Sequence, residues 1–326
     1  MEMVKLENNS SNNNDVVLRV DQLTNKTHQQ ESNGFIFKFD ENFAIAWINL
    51  TYLRKSLLSN KEKIILNKIN GQINFGTLTA LMGPSGAGKT TLLRCINGLN
   101  QSHLSNDSLF YVSKTRSIRP SYIVQDPKEH LLMRLTVKES LMYSSQLKNY
   151  QIRKYKFNHQ DNIERILNEM LLNECKDNLV GLCSGGEQKR LSIGLELTAK
   201  MQPNLMCIDE PTSGLDSYAA EQVCLVFLNY NNSINYNKFL IFFILKMIIC
   251  LKNLSRNHSI AILISIHQPN SDVLTLFDQL YVLSIGGQCI YNDHPSKIKE
   301  YLIECQVPLK EYQVPIEELI KVASSS

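Results

Sequence analysis

Residues 83–90 read Gly-Pro-Ser-Gly-Ala-Gly-Lys-Thr, and no other stretch of the 326-residue chain narrows its fold so far. The octapeptide fits the pattern G-x-x-x-x-G-K-[ST] in full. It follows a short apolar run, Leu78–Met82. It opens the segment 90–99, where apolar residues at 92, 93, 96 and 99 recur with the period of a helix. Glycines between a strand and a helix let successive backbone N–H groups turn inward around phosphate oxygens, where side chains would block the approach. The helix N-terminus adds a partial positive charge. Lys89 supplies a full charge for the β- and γ-phosphates and Thr90 a hydroxyl for Mg²⁺. Gly83, Pro84, Ser85, Gly86, Ala87, Gly88 and Thr91 complete the cradle. An ordinary glycine turn needs no strand before it and no helix after it. The chain is read as a binder of a nucleoside triphosphate.

The rest of the sequence supplies a sheet for that loop. Residues 43–52 mix β-formers with partial alternation and read as a strand. Residues 64–66 and 69–71 read as a strand and turn. Residues 205–208 and 260–266 read as buried strands, and 135–147 and 163–172 as helices. Residues 280–284, Gly286-Gly287 and 288–291 form a hairpin pattern. Strands interleaved with helices indicate an α/β protein. The strand at 205–208 runs into Asp209-Glu210-Pro211, placing two carboxylates at the strand end where open α/β sheets bind ligands. Asp209 suits the Mg²⁺ shell, and Glu210 the role of general base toward an attacking water.

Composition sets the outer limits. Apolar residues make up 43% of the chain, enough for a substantial core, and no run reaches the ~18–20 apolar residues that span a bilayer. Lys and Arg number 34 against 31 Asp and Glu, a net charge of +3, which argues against a dedicated nucleic-acid binder. The eight cysteines include no CxxC pair, and the first residues lack the apolar stretch of a secretory signal, so a reducing compartment is expected. No metal-ligand cluster stands out from the spacing. Residues 1–34, rich in Asn, Ser and Gln, read as a flexible tail that precedes a folded region of 35–326.

Cys183-Ser-Gly-Gly-Glu-Gln-Lys-Arg190 settles the family. A Ser-Gly-Gly turn that opens a helix is a second anion-binding terminus. Between the phosphate loop and Asp209-Glu210 it resembles the signature motif of ATP-binding cassette (ABC) proteins. Gln125 in Tyr122-Ile-Val-Gln-Asp126 resembles the Q-loop glutamine. Ser213-Gly-Leu-Asp216 resembles the D-loop, and His267 in Ser265-Ile-His-Gln-Pro269 the switch histidine. The stretches 209–217 and 266–272 are similar to the G (White) subfamily of ABC transporters, as are 135–141 and 313–324. The resemblance runs from about Trp47 to the end.

It implies a P-loop NTPase fold with a RecA-like core, an antiparallel β subdomain and a helical signature subdomain over about 127–200. It further implies a half-transporter that works as a homo- or heterodimer on the cytoplasmic face of a membrane, through a membrane domain absent from this chain. Two cassettes would pack head to tail. Ser184, Gly185 and Gly186 of one would then face the γ-phosphate held by the other, with Asp216 linking the two sites. Gln125 would sense the γ-phosphate and Mg²⁺, and His267 would stabilise charge on the transferring group. Tyr52 would either stack on adenine or simply pack.

The chain departs from the family pattern in places. Gln188 stands where Arg is more frequent and Cys183 where a small aliphatic residue is usual; neither removes a phosphate donor. From Asp209 to His267 is 58 positions, longer than the family layout by the segment 227–250. Its bias toward Asn, Tyr, Ile, Phe and Lys suits translated non-coding sequence, a retained intron or gene-model error. The alternatives are a surface insertion, or an amphipathic membrane-touching helix at 239–251. Two other functions compete with export. A cassette damaged by the insertion would bind ATP without productive transport. A soluble ABC ATPase of ribosomes or chromosomes would carry tandem cassettes or a long coiled coil, and neither is legible here.

Overall fold

The computed structural model describes residues 3–6, 18–21, 42–55, 62–152, 157–212, 236–266, 271–308 and 314–325. Two sheets organise them. The first is antiparallel and contains β1 (Met3–Leu6), β2 (Leu18–Asp21), β3 (Phe43–Lys55), β4 (Glu62–Asn74) and, after one strand of the second sheet, β6 (Leu109–Val112), in the order β2-β1-β6-β3-β4. The second contains β5 (Leu78–Met82), β7 (Pro120–Ile123), β8 (Leu205–Ile208), β9 (Ala261–Ser265), β10 (Gln279–Leu283) and β11 (Cys289–Asp293), in the order β11-β10-β5-β9-β8-β7. All its neighbours run parallel except the β10–β11 hairpin.

Every residue of β5, β8 and β9 is buried. Strands covered on both faces are uninterrupted apolar runs, which is how these three were legible in the sequence. The helices are α1 (Lys89–Ile96), α2 (Val137–Lys148), α3 (His159–Glu169), α4 (Gly185–Leu197), α5 (Tyr236–His258), α6 (Ser271–Leu274), α7 (Ile298–Glu304) and α8 (Pro315–Ser325); α1 packs on β8 and β9, and α5 on β5 and β9. Helices α2, α3 and α4 pack on one another. Capping boxes start α2 at Thr136 and α4 at Ser184. Asn149 closes this helical layer by donating to the carbonyls of Ser145 and Thr198.

The structure corrects two expectations. Residues 64–71 are not a strand and turn; they belong to the 13-residue strand β4. Gly71 pairs with Trp47, and the side chain of Asn70 accepts the N–H of Asn49 at 2.7 Å, so the ladder runs through the supposed turn. Trp47 in turn lies against Tyr281 of the parallel sheet, ring centres 5.5 Å apart, and the Tyr281 hydroxyl donates to the carbonyl of Asn70. The two sheets are joined there. Second, the tail at 1–34 contributes β1 and β2, with β1 paired on β6. The short β-forming runs there complete an edge whose N–H and C=O groups β6 would otherwise leave unpaired.

The described end of the segment 227–250 packs into the core. From Tyr236 its described part is one helix with residues up to His258. Met247, Ile248 and Cys250 are buried in the same cluster as Leu251 and Leu254. Among the described residues, no helix is long and apolar enough to cross a membrane.

Candidate active site

The phosphate loop leaves β5 at Met82 and enters α1 at Lys89. Gly83 and Gly88 have φ of 145° and 97°, in the left-handed region. A Cβ on Gly83 would lie 2.3 Å from the carbonyl oxygen of Leu283, and one on Gly88 would lie 2.7 Å from Cδ2 of Leu66. Side chains at either point would therefore push the loop off the sheet. Gly88 caps α1 without a side-chain acceptor, and no acidic residue occupies the first turn. The helix thus presents N–H groups that no side chain has capped, an anion seat. Ser85 and Thr90 are exposed, Pro84 and Thr91 half-buried and Ala87 buried. Lys89 is 7% exposed, and its ammonium donates to the carbonyls of Gly83 at 2.8 Å and Pro84 at 3.1 Å. Burial lowers its pKa, while Glu210 and Asp209 oppose that shift.

The carboxylates stand at the end of β8, beside β7 and β9. Asp209 is 4% exposed. Ser265 Oγ donates to its Oδ1 at 2.6 Å, and the Tyr122 hydroxyl donates to its Oδ2 at 3.1 Å. The same Ser265 oxygen accepts the N–H of Glu210 at 2.8 Å. Gln125, just past β7, donates its amide N–H to Glu210 Oε2 at 2.5 Å. Glu210 has φ of 44°, a left-handed conformation that costs a non-glycine residue on the order of 1–3 kcal/mol. Its carbonyl accepts from the Nζ of Lys189, a buried residue of α4. Burial pushes the Lys189 amine down to about 8, against the opposing pull of Glu210, Asp126 and Asp209. Arg94 lies over the ring of Tyr122, 5.8 Å from its centre.

Ser184 begins α4. Its backbone N–H and its hydroxyl both donate to Glu187 Oε2 at 2.8 Å, and its hydroxyl accepts the Glu187 N–H at 3.3 Å. Gly185 is half-buried and Gly186 buried. Gln188 is buried and donates to the carbonyls of Val180 and Cys183, so it braces the turn that carries Ser184. The fold also brings together a potential ligand group that spacing alone had not revealed: one ligand atom each of Cys175, Cys183 and Glu187, all within 4.8 Å of one another. Both thiols donate to backbone carbonyls, of Leu172 and Leu179, and burial pushes Cys175 up to about 12. These are features of buried, protonated core thiols.

A loop of this kind and an acid pair at the end of β8, one strand removed in the same sheet, narrow the candidates to phosphate-transfer sites, and comparison with known proteins decides among them. Residues 66–213 match the family model described as ABC transporter. The chain is an ATP-binding cassette of the ABC transporter family. It is 32% identical over 300 residues to ABC transporter G family member 11 of Arabidopsis thaliana, covering 89% of this chain and 38% of that protein. It is 35% identical over 282 residues to ABC transporter G family member 1 of Dictyostelium discoideum, covering 81% and 31%. The cassette thus spans about a third of the length of these relatives. In fold it is similar to CbiO1 of Clostridium perfringens, part of the ABC transporter complex CbiONQ. The TM-score there is 0.59, at 19% identity, over 86% of this chain and 99% of the other.

The cassette brings Lys89, Gln125, Asp209 and Glu210 to one edge of the parallel sheet. Ser184 hydrogen-bonds within its own capping box and not to the phosphate loop of the same chain. Asp216 and His267 lie outside the described residues. Tyr52 is 9% exposed, with its ring 5.6 Å from that of His103. Three residues with no assigned role prove to hold the acid pair: Tyr122, Lys189 and Ser265. Tyr122 and Ser265 flank motif residues in the sequence. Lys189 sits inside the signature motif, where attention falls on the Ser-Gly-Gly turn.

Proposed function

We propose that the cassette hydrolyses ATP with Mg²⁺ and drives export through a membrane domain, as one half of a transporter dimer. The observation that carries this reading is Glu210: its carboxylate is held by the Gln125 amide at the strand end beside Asp209, one strand removed from β5, which carries the phosphate loop.

Loop N–H groups and Lys89 bind the β- and γ-phosphates, with Lys89 exchanging its present carbonyl partners for phosphate oxygens. Glu210 accepts a proton from water as the water oxygen bonds to the γ-phosphorus and the bond to the β,γ-bridging oxygen breaks, giving ADP and inorganic phosphate. His267 and Lys89 stabilise the charge that spreads over the transferring group. Thr90, Gln125 and Asp209 offer hydroxyl, amide and carboxylate oxygens, an all-oxygen set that suits Mg²⁺. When bound there, Mg²⁺ neutralises charge on the phosphate oxygens.

A second half-transporter, identical or different, completes each site by presenting its own Ser184 and Gly186 equivalents to the γ-phosphate, with Asp216 at the contact between sites. The capping box fixes the first turn of α4, and the Ser184 hydroxyl would exchange its present acceptor, Glu187 Oε2, for a phosphate oxygen. The workplace is the cytoplasmic face of a membrane, and no nucleic acid is involved.

MgATP turnover of the chain and of its Glu210→Gln variant tests the proposal. Loss of at least about 100-fold in the variant is expected, the scale of general-base catalysis. Equal rates would overturn the enzymatic reading, and nucleotide binding without turnover in either protein would make the cassette a binding module.

A further inference from the structure

We propose that Lys189 is a positioning residue for Glu210, tying the signature helix to the backbone of the general base within one chain. The inference rests on the reading of Glu210 as that base.

Glu210 sits in a left-handed conformation, and its main chain is held from two sides. On the amide side, Ser265 Oγ of β9 accepts its N–H. On the carbonyl side, Lys189 of α4 donates to its oxygen. The side chain is then held by Gln125. Removing the carbonyl tie leaves a peptide that can rotate while its carboxylate stays chemically intact. A displaced general base slows the reaction without touching the groups that bind the nucleotide.

A purely structural role is the alternative for a buried lysine. The surroundings argue against it. Lys189 is 6% exposed, and its ammonium feels the carboxylates of Glu210, Asp126 and Asp209. A lysine used only as filler would place its head in water along an apolar stem. This one directs its head inward, where it donates to the Glu210 backbone carbonyl in the active site, and such partners offset the cost of burying a cation. Position on the helix matters as well. Ser184 begins α4 and Lys189 lies five residues on in the same 13-residue helix. A shift of the signature turn is therefore carried by a rigid element to the peptide of the base.

The test measures ATP affinity by equilibrium binding and single-turnover hydrolysis on the whole chain. The proteins compared are wild type, Lys189→Met, Lys189→Arg, Glu210→Gln and the double variant Lys189→Met/Glu210→Gln. Lys189→Met is expected to keep ATP affinity within about twofold and to lose about 10- to 100-fold in hydrolysis rate. Lys189→Arg, which keeps a cationic donor, recovers most of that loss. In the Glu210→Gln background, Lys189→Met costs nothing further, because a residue acting only through the base has nothing left to position.

Three results overturn the proposal while leaving Glu210 as the base. These are wild-type hydrolysis by Lys189→Met, an equal loss in the presence and absence of the Glu210 carboxylate, and loss of ATP binding by both Lys189 variants. Wild-type hydrolysis by Glu210→Gln would remove the base itself, and the inference with it.

Discussion

The hydroxyl of Ser265 donates to the carboxylate of Asp209 across 2.6 Å, at a point where both residues are buried. One hydroxyl hydrogen is thus committed to the metal-side carboxylate, which leaves the oxygen to receive the Glu210 N–H. Ser265→Ala breaks both contacts at once. It should lower unfolding free energy by about 1–3 kcal/mol, the cost of orphaning buried polar groups, and slow MgATP hydrolysis. Denaturant unfolding and turnover assays check the two effects. A variant as stable as wild type would show that the hydroxyl holds nothing.

Gly88→Ala meets two obstacles. The residue has φ of 97°, and its new Cβ would press on Leu66 and the carbonyl of Ile65. We expect a loss of about 1–3 kcal/mol in stability. A fall of more than about tenfold in ATP affinity should accompany it, since 1.4 kcal/mol is a factor of ten. Calorimetry with ATP measures the second; unchanged affinity would mean the loop tolerates a shift off the sheet.

Gln188→Leu keeps the volume of the side chain but removes its amide. The carbonyls of Val180 and Cys183 then lose a donor in a buried turn. A stability loss of about 1–3 kcal/mol follows. The effect should also reach any activity that depends on a second cassette meeting Ser184, while ATP affinity of the single chain stays unchanged. Comparing the two readouts in one variant checks the assignment.

The Lys189 amine has a pKa of about 8 in the folded protein against an ordinary lysine value of 10.5. Between those values the unfolded chain holds the proton and the folded chain does not, so this group makes stability rise with pH across that window. Below about 8 both states are protonated, and the full cost of burying the charge is present. The stability of wild type relative to Lys189→Met should therefore climb between about pH 8 and 10.5. A flat difference would mean that the amine titrates normally.

The phosphate loop and the acid pair were legible because their chemistry demands a contiguous run of particular residues at the end of a buried strand. Strands β5, β8 and β9 were legible for the same local reason. Lys189 was not, since its partner is a backbone carbonyl 21 residues away and no side-chain pattern marks it. β4 was misread at Asn70-Gly71 because those residues favour turns locally. Pairing with Trp47 and the Asn49–Asn70 bond, both non-local, override that preference. Strand β1 was hidden by the polar composition around it; its partner β6, which also pairs with β3, lies about a hundred residues away in the sequence.

Helix α5 contains the described end of the segment 227–250. Joining Val226 directly to Leu251 would place Val223, Cys224 and Val226 at the helix positions now held by Met247, Ile248 and Cys250. Those three positions are buried. Leu225 would take the place of Ile249, which is exposed. A transcript lacking codons 227–250 would thus encode the same apolar face in the same register, with smaller side chains at two of its buried positions. The shorter transcript would also put Ala220 and Glu221 where Ile244 and Leu245 now pack against the core, so the longer one encodes the more apolar helix.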